Sequence, residues 1–356
     1  MAVQLHDIKI LGIQKETEDC VSVTFEIPDN LKNEFAFIPG QYLTLEDTIS
    51  GENVRRAYSL CSAPHEESHK VAIKQIENGV FSTHANNVLK AGDQLKVMKP
   101  MGNFTLSTNK KNKKNYVFYA AGSGITPIIS MIKSVLINEP NSHVTLFYGN
   151  KGFSSIIFRE DLENLKNKFI QQFRVIHVFS KESIGNPLQK GRINKEKNDS
   201  FIQTFLKHEE IDGIYLCGPE TMIKEVTESF LDIGLDKQKI HFELFNTSSE
   251  KKQVNNNIEK ELLFDSLVKI EIDGDSFELK MKSGGNDILT EAQKNGADLP
   301  FACKGGVCST CKAKVIKGKV DMDINYALEE EEVNDGYILT CQAHPKSENV
   351  IISFDD

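Results

Sequence analysis

Four cysteines in the C-terminal quarter of the chain have the spacing of ligands to a metal cluster. Cys303, Cys308 and Cys311 lie in one loop, FACKGGVCSTCKAKV, and Cys341 follows after 29 further residues. The pattern C-x4-C-x2-C with one remote cysteine is typical of a two-iron, two-sulfide cluster held by four thiolates. Zinc knuckles use C-x2-C twice, and only one such pair is present here. The sequence therefore predicts a [2Fe-2S] cluster, with a zinc site as the alternative.

Small residues separate these cysteines, and they suit a cluster. Ala302, Gly305, Gly306, Ser309 and Thr310 leave room for backbone N–H groups to approach the sulfur atoms. A long apolar side chain at these positions would keep the four thiolates apart. The loop is therefore expected to surround the cluster closely.

The composition indicates where such chemistry would take place. The 356 residues suggest two or three domains. The N-terminal segment MAVQLHDIKILG lacks the pattern of a secretory signal, and the uncharged run 116–132 contains too many Gly, Ser and Pro residues for a membrane span. We expect a cytoplasmic protein with no membrane segment, in a reducing compartment where close cysteines bind metal more often than they form disulfides.

The net charge of −9 is concentrated at the C-terminal end. Residues 262–356 contain 18 acidic and 10 basic residues, a net charge of −8, which leaves −1 for the rest of the chain. An acidic chain without a basic stripe argues against nucleic-acid binding. The acidic segment suggests either a basic partner surface or a means of keeping the protein soluble.

The pattern of secondary structure divides the chain into three domains and a linker. Residues 1–108 alternate apolar and polar residues between closely spaced Gly and Pro, which predicts an antiparallel β-barrel. Residues 109–245 alternate apolar strands with helical segments, which predicts a doubly wound α/β domain with a parallel sheet. Residues 246–261 are polar and rich in Asn and Lys, as a flexible linker would be. Residues 262–356 predict a small α+β domain.

A glycine-rich loop opens the second domain. In AGSGITP, Gly122 and Gly124 stand between a predicted strand and a predicted helix, where backbone N–H groups can bind a pyrophosphate. The motif departs from G-x-G-x-x-G because Pro127 replaces the third Gly, but proline is tolerated in a first helical turn. A second strand-to-helix junction, LCGPE, lies downstream. The nucleotide-binding candidates at the first junction are Gly122, Gly124 and Thr126.

Together these motifs resemble the ferredoxin-NADP reductase superfamily with a C-terminal plant-type ferredoxin domain. LPFACKGGVCSTCKAKV and the later LTC resemble the ferredoxin domain, which has a β-grasp fold. RAYSLCS and GVFS resemble the flavin-binding motifs of the superfamily, and AGSGITP, LCGPE and HFELF resemble its nucleotide-binding motifs. The resemblance covers the whole chain except the linker.

The resemblance implies roles for the residues of the first domain. Arg56 would bind flavin pyrophosphate oxygens through its guanidinium fork, Tyr58 would stack on the isoalloxazine, and Ser59 would hydrogen-bond near flavin N5. Gly79 and Ser82 would allow a close backbone approach and supply a hydroxyl to the phosphate. Taken alone, RAYS would be an ordinary strand.

Four further positions carry implied roles close to the nicotinamide and the flavin. The resemblance makes Cys217 and Gly218 cofactor-binding residues, with Cys217 beside the nicotinamide; a small buried thiol is the alternative for Cys217. Glu243 matches the acid of the superfamily, and together with Ser59 and Cys217 it forms the expected catalytic group. Phe245 matches an aromatic near the flavin, with a core residue of the sheet as the alternative.

Cofactor choice depends on Ser180 and Lys181 in VFSKES. The superfamily holds the 2'-phosphate of NADPH with a Ser-Arg pair at this place, and an acidic residue would bind the ribose of NADH. Lysine keeps the charge but lacks the bidentate fork. NADPH is therefore favoured, with NADH as the alternative.

The resemblance implies electron transfer from NADPH through FAD and the cluster to the oxygenase component of a multicomponent system. FAD is expected as the flavin, with FMN as the alternative. Motif order and total length resemble the reductases that serve phenylacetyl-CoA epoxidation, so the expected partner is a di-iron oxygenase. The alternatives are a reductase for another aromatic-ring, steroid or alkane oxygenase and, in a different class, a non-enzymatic zinc-binding β-grasp scaffold.

Overall fold

The computed structural model describes residues 4–245 and 264–355. The chain divides into two compact units, His6–Phe245 and a C-terminal unit described from residue 264 onward. The predicted linker, 246–261, lies outside the described residues. Within the described ranges, none of the helices has the length and apolar composition needed to cross a membrane.

The first part of the larger unit is an antiparallel barrel. Its elements are β1 His6–Thr17, β2 Cys20–Glu26, β3 Tyr42–Ile49, β4 Glu52–Ser59, β5 His69–Lys74, α1 Val80–Asn87 and β6 Gln94–Val97. The strand order is β4-β3-β6-β1-β2-β5. A bridge between Leu60 and Val71 joins the two outer strands and closes the sheet. The predicted antiparallel flavin domain is confirmed in its fold.

One helix interrupts the strand pattern expected for this region. The eight-residue helix α1 contains the GVFS motif at its start and buries Phe81, Ser82 and Ala85. Phe81 and Ala85 belong to the barrel core, and four positions separate them, which places both side chains on one helix face. This burial, rather than a strong local helix pattern, accounts for the helix.

The second part of the larger unit is a parallel sheet with helices. Its elements are β7 Asn115–Ala121, α2 Ile125–Asn138, β8 His143–Asn150, α3 Arg159–Lys168, β9 Phe173–Phe179, α4 Lys195–Phe201, β10 Gly213–Cys217, α5 Glu220–Asp232 and β11 Ile240–Glu243. The strand order β11-β10-β7-β8-β9 is parallel throughout. The predicted doubly wound fold is confirmed. Strand order reverses between β7 and β10, and ligands of such sheets bind at the carboxyl ends of the strands there.

The barrel and the parallel sheet share one hydrophobic cluster. Cys20 and Cys61 from the barrel pack with residues of α2 in this cluster. Both thiols are buried, and burial raises the pKa of Cys20 to about 12. A hydrogen bond from Ser130 Oγ in α2 to the Ser62 carbonyl, 2.6 Å long, also crosses this boundary. The two sheets are therefore held in a fixed relation.

The C-terminal unit is an α+β fold. Its elements are β12 Asp265–Ile272, β13 Asp275–Lys282, α6 Ile288–Lys294, β14 Lys312–Lys317, β15 Val320–Met322, α7 Glu330–Asn334, β16 Tyr337–Leu339, β17 Ala343–Pro345 and β18 Asn349–Ser353. The main sheet has the order β13-β12-β18-β14-β16, and β15 pairs with β17. Helix α6 buries Ile288, Leu289 and Ala292 in the core of this unit. This is the predicted β-grasp arrangement.

Local sequence accounts for two features of this unit. Asp273 and Gly274 both have positive φ, 52° and 79°, which forms the predicted β12–β13 hairpin. The acidic run Glu329–Glu332 begins the short helix α7 and has no buried residue, in agreement with a solvated helix face.

Candidate functional site

The four predicted cluster cysteines converge in the C-terminal unit. Cys303, Cys308 and Cys311 lie on the loop between α6 and β14, and Cys341 lies just after β16. The sulfur atoms of Cys303 and Cys308 are 3.1 Å apart. Cys341 makes side-chain hydrogen bonds with both Cys303 and Cys311. The fold thus brings the remote cysteine to the loop.

Hydrogen bonds around Cys303 favour its thiolate form. Gly305 N–H donates to Cys303 Sγ over 3.3 Å, and the N–H of Val307 also donates to it. Thiol hydrogen bonds from Cys308 and Cys341, with these backbone donors, hold the pKa of Cys303 far below its usual range. The same hydrogen bonds raise the pKa of the donors Cys308 and Cys341, and binding of a metal cluster would require all four thiols to lose their protons.

The loop geometry requires glycine at one place. Gly306 has φ +72°, and a Cβ there would lie 3.0 Å from the Ile324 carbonyl oxygen. Within the described part of the chain, no three His, Cys, Asp or Glu side chains are arranged around the position of a single metal ion. Three sulfur donors in a narrow loop lined with backbone N–H groups, with Cys341 as the fourth, fit a [2Fe-2S] cluster.

The glycine-rich loop lies at the carboxyl end of β7, where strand order reverses. Gly122 has a left-handed φ of +54°. A Cβ on Gly124 would lie 2.0 Å from the Cys217 carbonyl oxygen, so the loop passes directly against the end of β10. A Cβ on Gly218 would lie 3.1 Å from the Cβ of Ala121. The two predicted nucleotide motifs therefore form one surface, followed by the N-terminus of α2.

Thr126 and Pro127 lie in the first turn of α2. The Thr126 hydroxyl donates to the Ser123 carbonyl over 3.1 Å and is buried, which ties the loop to the helix. The Thr126 side chain thus stabilises the glycine-rich loop through a hydrogen bond, and its contact with a nucleotide remains a prediction.

Ser59, Cys217 and Glu243 meet beside this loop. Cys217 and Glu243 are register partners in β10 and β11. The Ser59 hydroxyl, which comes from the barrel, lies 3.4 Å from Glu243 Oε2. Burial raises the pKa of Glu243 to about 8, against the lowering effect of the Ser59 hydrogen bond. Burial, assisted by Glu243, also raises the pKa of Cys217.

The residues of the flavin motifs lie next to this group. Tyr58 is partly buried, and its ring centroid is 5.7 Å from that of Phe81 in α1. Arg56 is exposed, and its guanidinium donates to the Arg55 carbonyl over 2.7 Å. An exposed cation and an aromatic ring on the strand that ends in Ser59 fit the binding of a flavin.

Gly79 and Ser82 adjoin each other at the start of α1. The Ser82 hydroxyl donates to the Gly79 carbonyl over 3.3 Å and accepts from the Ile76 N–H over the same distance. A Cβ on Gly79 would lie 2.3 Å from Ser82 Oγ. The close packing of Ser82 and Ile76 thus requires glycine at position 79, whose N–H donates to the Ile76 carbonyl over 3.1 Å, and phosphate binding here stays a prediction.

The remaining predicted residues have less distinctive surroundings. Ser180 and Lys181 are exposed just after β9, and their N–H groups donate to the carbonyls of Asn150 and Lys151, each over 2.9 Å. Phe245 is partly buried against the hydrophobic cluster shared by barrel and sheet. This packing agrees with the core alternative for Phe245, and its place near a flavin stays a prediction.

Sequence reasoning missed residues that hold this site together. Tyr148 in β8 donates a hydrogen bond to the Gly122 carbonyl over 3.1 Å. Lys133 in α2 pairs with Glu66 of the barrel at 3.1 Å and with Asp161 at 3.2 Å. A tyrosine in an apolar strand beside the glycine-rich loop was a usable signal, but nothing in the sequence links Lys133 to Glu66.

Comparison with known proteins identifies the class. Residues 7–106 match the oxidoreductase FAD-binding domain, 118–228 match the oxidoreductase NAD-binding domain, and 270–346 match the 2Fe-2S iron-sulfur cluster binding domain. The chain belongs to the flavin- and iron-sulfur-dependent electron-transfer oxidoreductases of the ferredoxin-NADP reductase type. The alternative of a non-enzymatic zinc scaffold is therefore wrong.

Individual relatives extend over the whole chain. The chain is 38% identical over 350 residues to a component of the 1,2-phenylacetyl-CoA epoxidase of Escherichia coli strain K12, with 98% of each chain covered. It is 32% identical to the ferredoxin reductase component of 3-ketosteroid-9-alpha-monooxygenase from Rhodococcus rhodochrous, covering 98% of this chain and 96% of that one. The crystallised phthalate dioxygenase reductase shares the fold, with a TM-score of 0.59, 22% identity and 98% of each chain covered.

Proposed function

We propose that this chain is the reductase component of a phenylacetyl-CoA epoxidase. It would take electrons from NADPH and deliver them, by way of FAD and a [2Fe-2S] cluster, to a di-iron oxygenase in the cytoplasm. The observation that carries the proposal is the full-length identity of 38% to a component of such an epoxidase, in a chain whose catalytic candidates meet at one site. The domain bounds 1–108, 109–245 and 262–356 remain part of this proposal.

The barrel residues would hold the flavin. Arg56 would bind the pyrophosphate oxygens, Tyr58 would lie against the ring system, and Gly79 and Ser82 would contribute a close backbone approach and a hydroxyl to the phosphate. A flavin is required between the other two carriers because nicotinamide gives two electrons together and an iron-sulfur centre accepts one. We propose FAD rather than FMN, to be tested by acid release and chromatography of the flavin.

The residues of the parallel sheet would hold the nicotinamide nucleotide. The loop at Gly122 and Gly124 would bind the pyrophosphate at the start of α2. Cys217, Gly218 and Phe245 would form an apolar wall that excludes water at the end of β10. Glu243, with its raised pKa, would keep a proton beside Ser59 near neutral pH. Ser180 and Lys181 would bind the 2'-phosphate of NADPH.

Reconstitution tests the choice of partner. The purified holoenzyme should reduce the epoxidase oxygenase component and support turnover of phenylacetyl-CoA with NADPH. The identity to a 3-ketosteroid monooxygenase reductase makes a steroid oxygenase the second candidate partner. Turnover with the steroid oxygenase and none with the epoxidase would overturn the proposed partner. A protein that binds no flavin would overturn the proposed electron path.

A further inference from the structure

A tyrosine hydroxyl lies directly beneath the glycine-rich loop. Tyr148, in the interior strand β8, has a relative exposure of 0%. Its hydroxyl donates to the Gly122 carbonyl over 3.1 Å and accepts from the N–H of Ile157. Burial raises the pKa of this hydroxyl, so it keeps its proton and remains a donor at all working pH values.

This hydrogen bond constrains the direction of a neighbouring donor. The Gly122 carbonyl and the Ser123 N–H belong to one planar trans peptide, in which C=O and N–H point in opposite directions. Holding the carbonyl toward the buried hydroxyl therefore turns the Ser123 N–H away from the core. Gly122 has a left-handed φ of +54°, a region in which a glycine peptide has alternatives nearby. Its carbonyl also accepts from the Ile125 N–H in the turn before α2, so the tyrosine adds a second donor that holds the same orientation.

We propose that Tyr148 is a positioning residue of the nucleotide site, which orients the Gly122–Ser123 peptide so that its N–H faces the pyrophosphate of NADPH. The inference rests on the proposed function, because it requires that the glycine-rich loop bind that pyrophosphate. Preorganised donors bind an anion more tightly because the loop does not have to be ordered on binding. The Tyr148 hydroxyl bonds to the loop and to Ile157 rather than to Ser59 or Glu243, so it should affect binding more than the chemical step.

The adjacent strand supplies a matched control. Tyr119 in β7 is also 0% exposed, and its hydroxyl donates to Asn198 Oδ1. Tyr119 packs against Phe147 and Phe230, on the sheet face opposite the shared cluster that contains Tyr148. Tyr119→Phe and Tyr148→Phe therefore both remove the hydroxyl of a fully buried tyrosine, but only the second involves the nucleotide loop.

The test is steady-state ferricyanide reduction by the holoenzyme with NADPH as the varied substrate. For Tyr148→Phe we expect KM for NADPH to rise about fivefold to tenfold, the effect of one hydrogen bond, with kcat changed by less than about twofold. Inhibition by inorganic pyrophosphate should weaken by the same factor. Tyr119→Phe should leave KM and the pyrophosphate inhibition unchanged while lowering the melting temperature by a similar amount.

Several results would overturn the inference. An unchanged KM in Tyr148→Phe, an equal rise in Tyr119→Phe, or a raised KM with unaltered pyrophosphate inhibition would each do so. If Tyr148→Phe is too unstable for kinetics, the variants can be compared by how far NADP+ raises their melting temperatures. A rise in Tyr148→Phe as large as that of the wild type would count against the inference. Failure of the wild-type protein to bind NADPH or NADH would instead overturn the proposed function.

Discussion

The Ser59 hydroxyl lies 3.4 Å from a carboxylate oxygen of Glu243, although 184 positions separate the two residues. Ser59 ends a barrel strand, and Glu243 ends the edge strand of the parallel sheet. Their contact therefore marks the place where the end of β4 in the barrel meets the end of β11 in the parallel sheet. In a reductase of this class, the proposed flavin and nicotinamide sites would adjoin here.

Glu243 should make the stability of the protein depend on pH. Burial raises its pKa from an ordinary 4.5 to about 8, so the folded state holds a proton that the unfolded state releases. Its stabilising effect is complete below pH 4.5 and is lost as the pH rises toward about 8. Glu243→Gln should therefore show a smaller fall in melting temperature between about pH 5 and pH 8 than the wild type. The exposed Glu77→Gln is the control, and an unaltered slope in Glu243→Gln would contradict the buried proton.

Cys308→Ser should remove the iron-sulfur centre and leave the flavin. The Cys308 and Cys303 sulfur atoms are 3.1 Å apart, and four thiolates are needed to hold two iron ions. We expect loss of most of the iron, loss of cytochrome c reduction and retention of NADPH-dependent ferricyanide reduction. Cys20→Ser, in the barrel, should keep the iron. Full cytochrome c reduction by Cys308→Ser would show that electrons bypass the cluster.

Lys133→Met should weaken the boundary between barrel and sheet. The Lys133 side chain is 12% exposed and pairs with both Glu66 and Asp161. Because both carboxylates are partly exposed and can be hydrated, we expect the free energy of unfolding to fall by about 1–3 kcal/mol, less than for a fully buried pair. Chemical denaturation measures this free energy. Lys9→Met, which breaks an exposed pair with Glu26, should cost less than about 1 kcal/mol, and equal losses would contradict the prediction.

Lys181→Ala should change nucleotide preference. If Lys181 binds the 2'-phosphate, its removal should reduce kcat/KM for NADPH by about tenfold and leave the value for NADH nearly unchanged, since NADH lacks that phosphate. Lys168→Ala, in α3, is the control for a general loss of positive charge. A parallel decrease with both nucleotides would place Lys181 elsewhere in the site.

Features set by residues that are close together in the sequence could be predicted from it. The cysteine spacing, the loop at Gly122 and the hairpin at Gly274 are local patterns whose backbone requirements are met by the residues themselves. The alternation of strands and helices likewise indicated a parallel sheet, because periodicity reports which faces are buried. The helix α1 was missed because its pattern is weak, and it forms where Phe81 and Ala85 reach the barrel core.

The sequence by itself determined the three folds, the candidate cluster ligands and the class of cofactors. Only the tertiary structure decided which distant side chains meet: Ser59 with Glu243, Tyr148 with Gly122, and Lys133 with Glu66. The physical reason is that these contacts depend on how the barrel and the sheet pack through their shared cluster. No local preference of the chain encodes such an encounter, since it results from burying two apolar surfaces against each other.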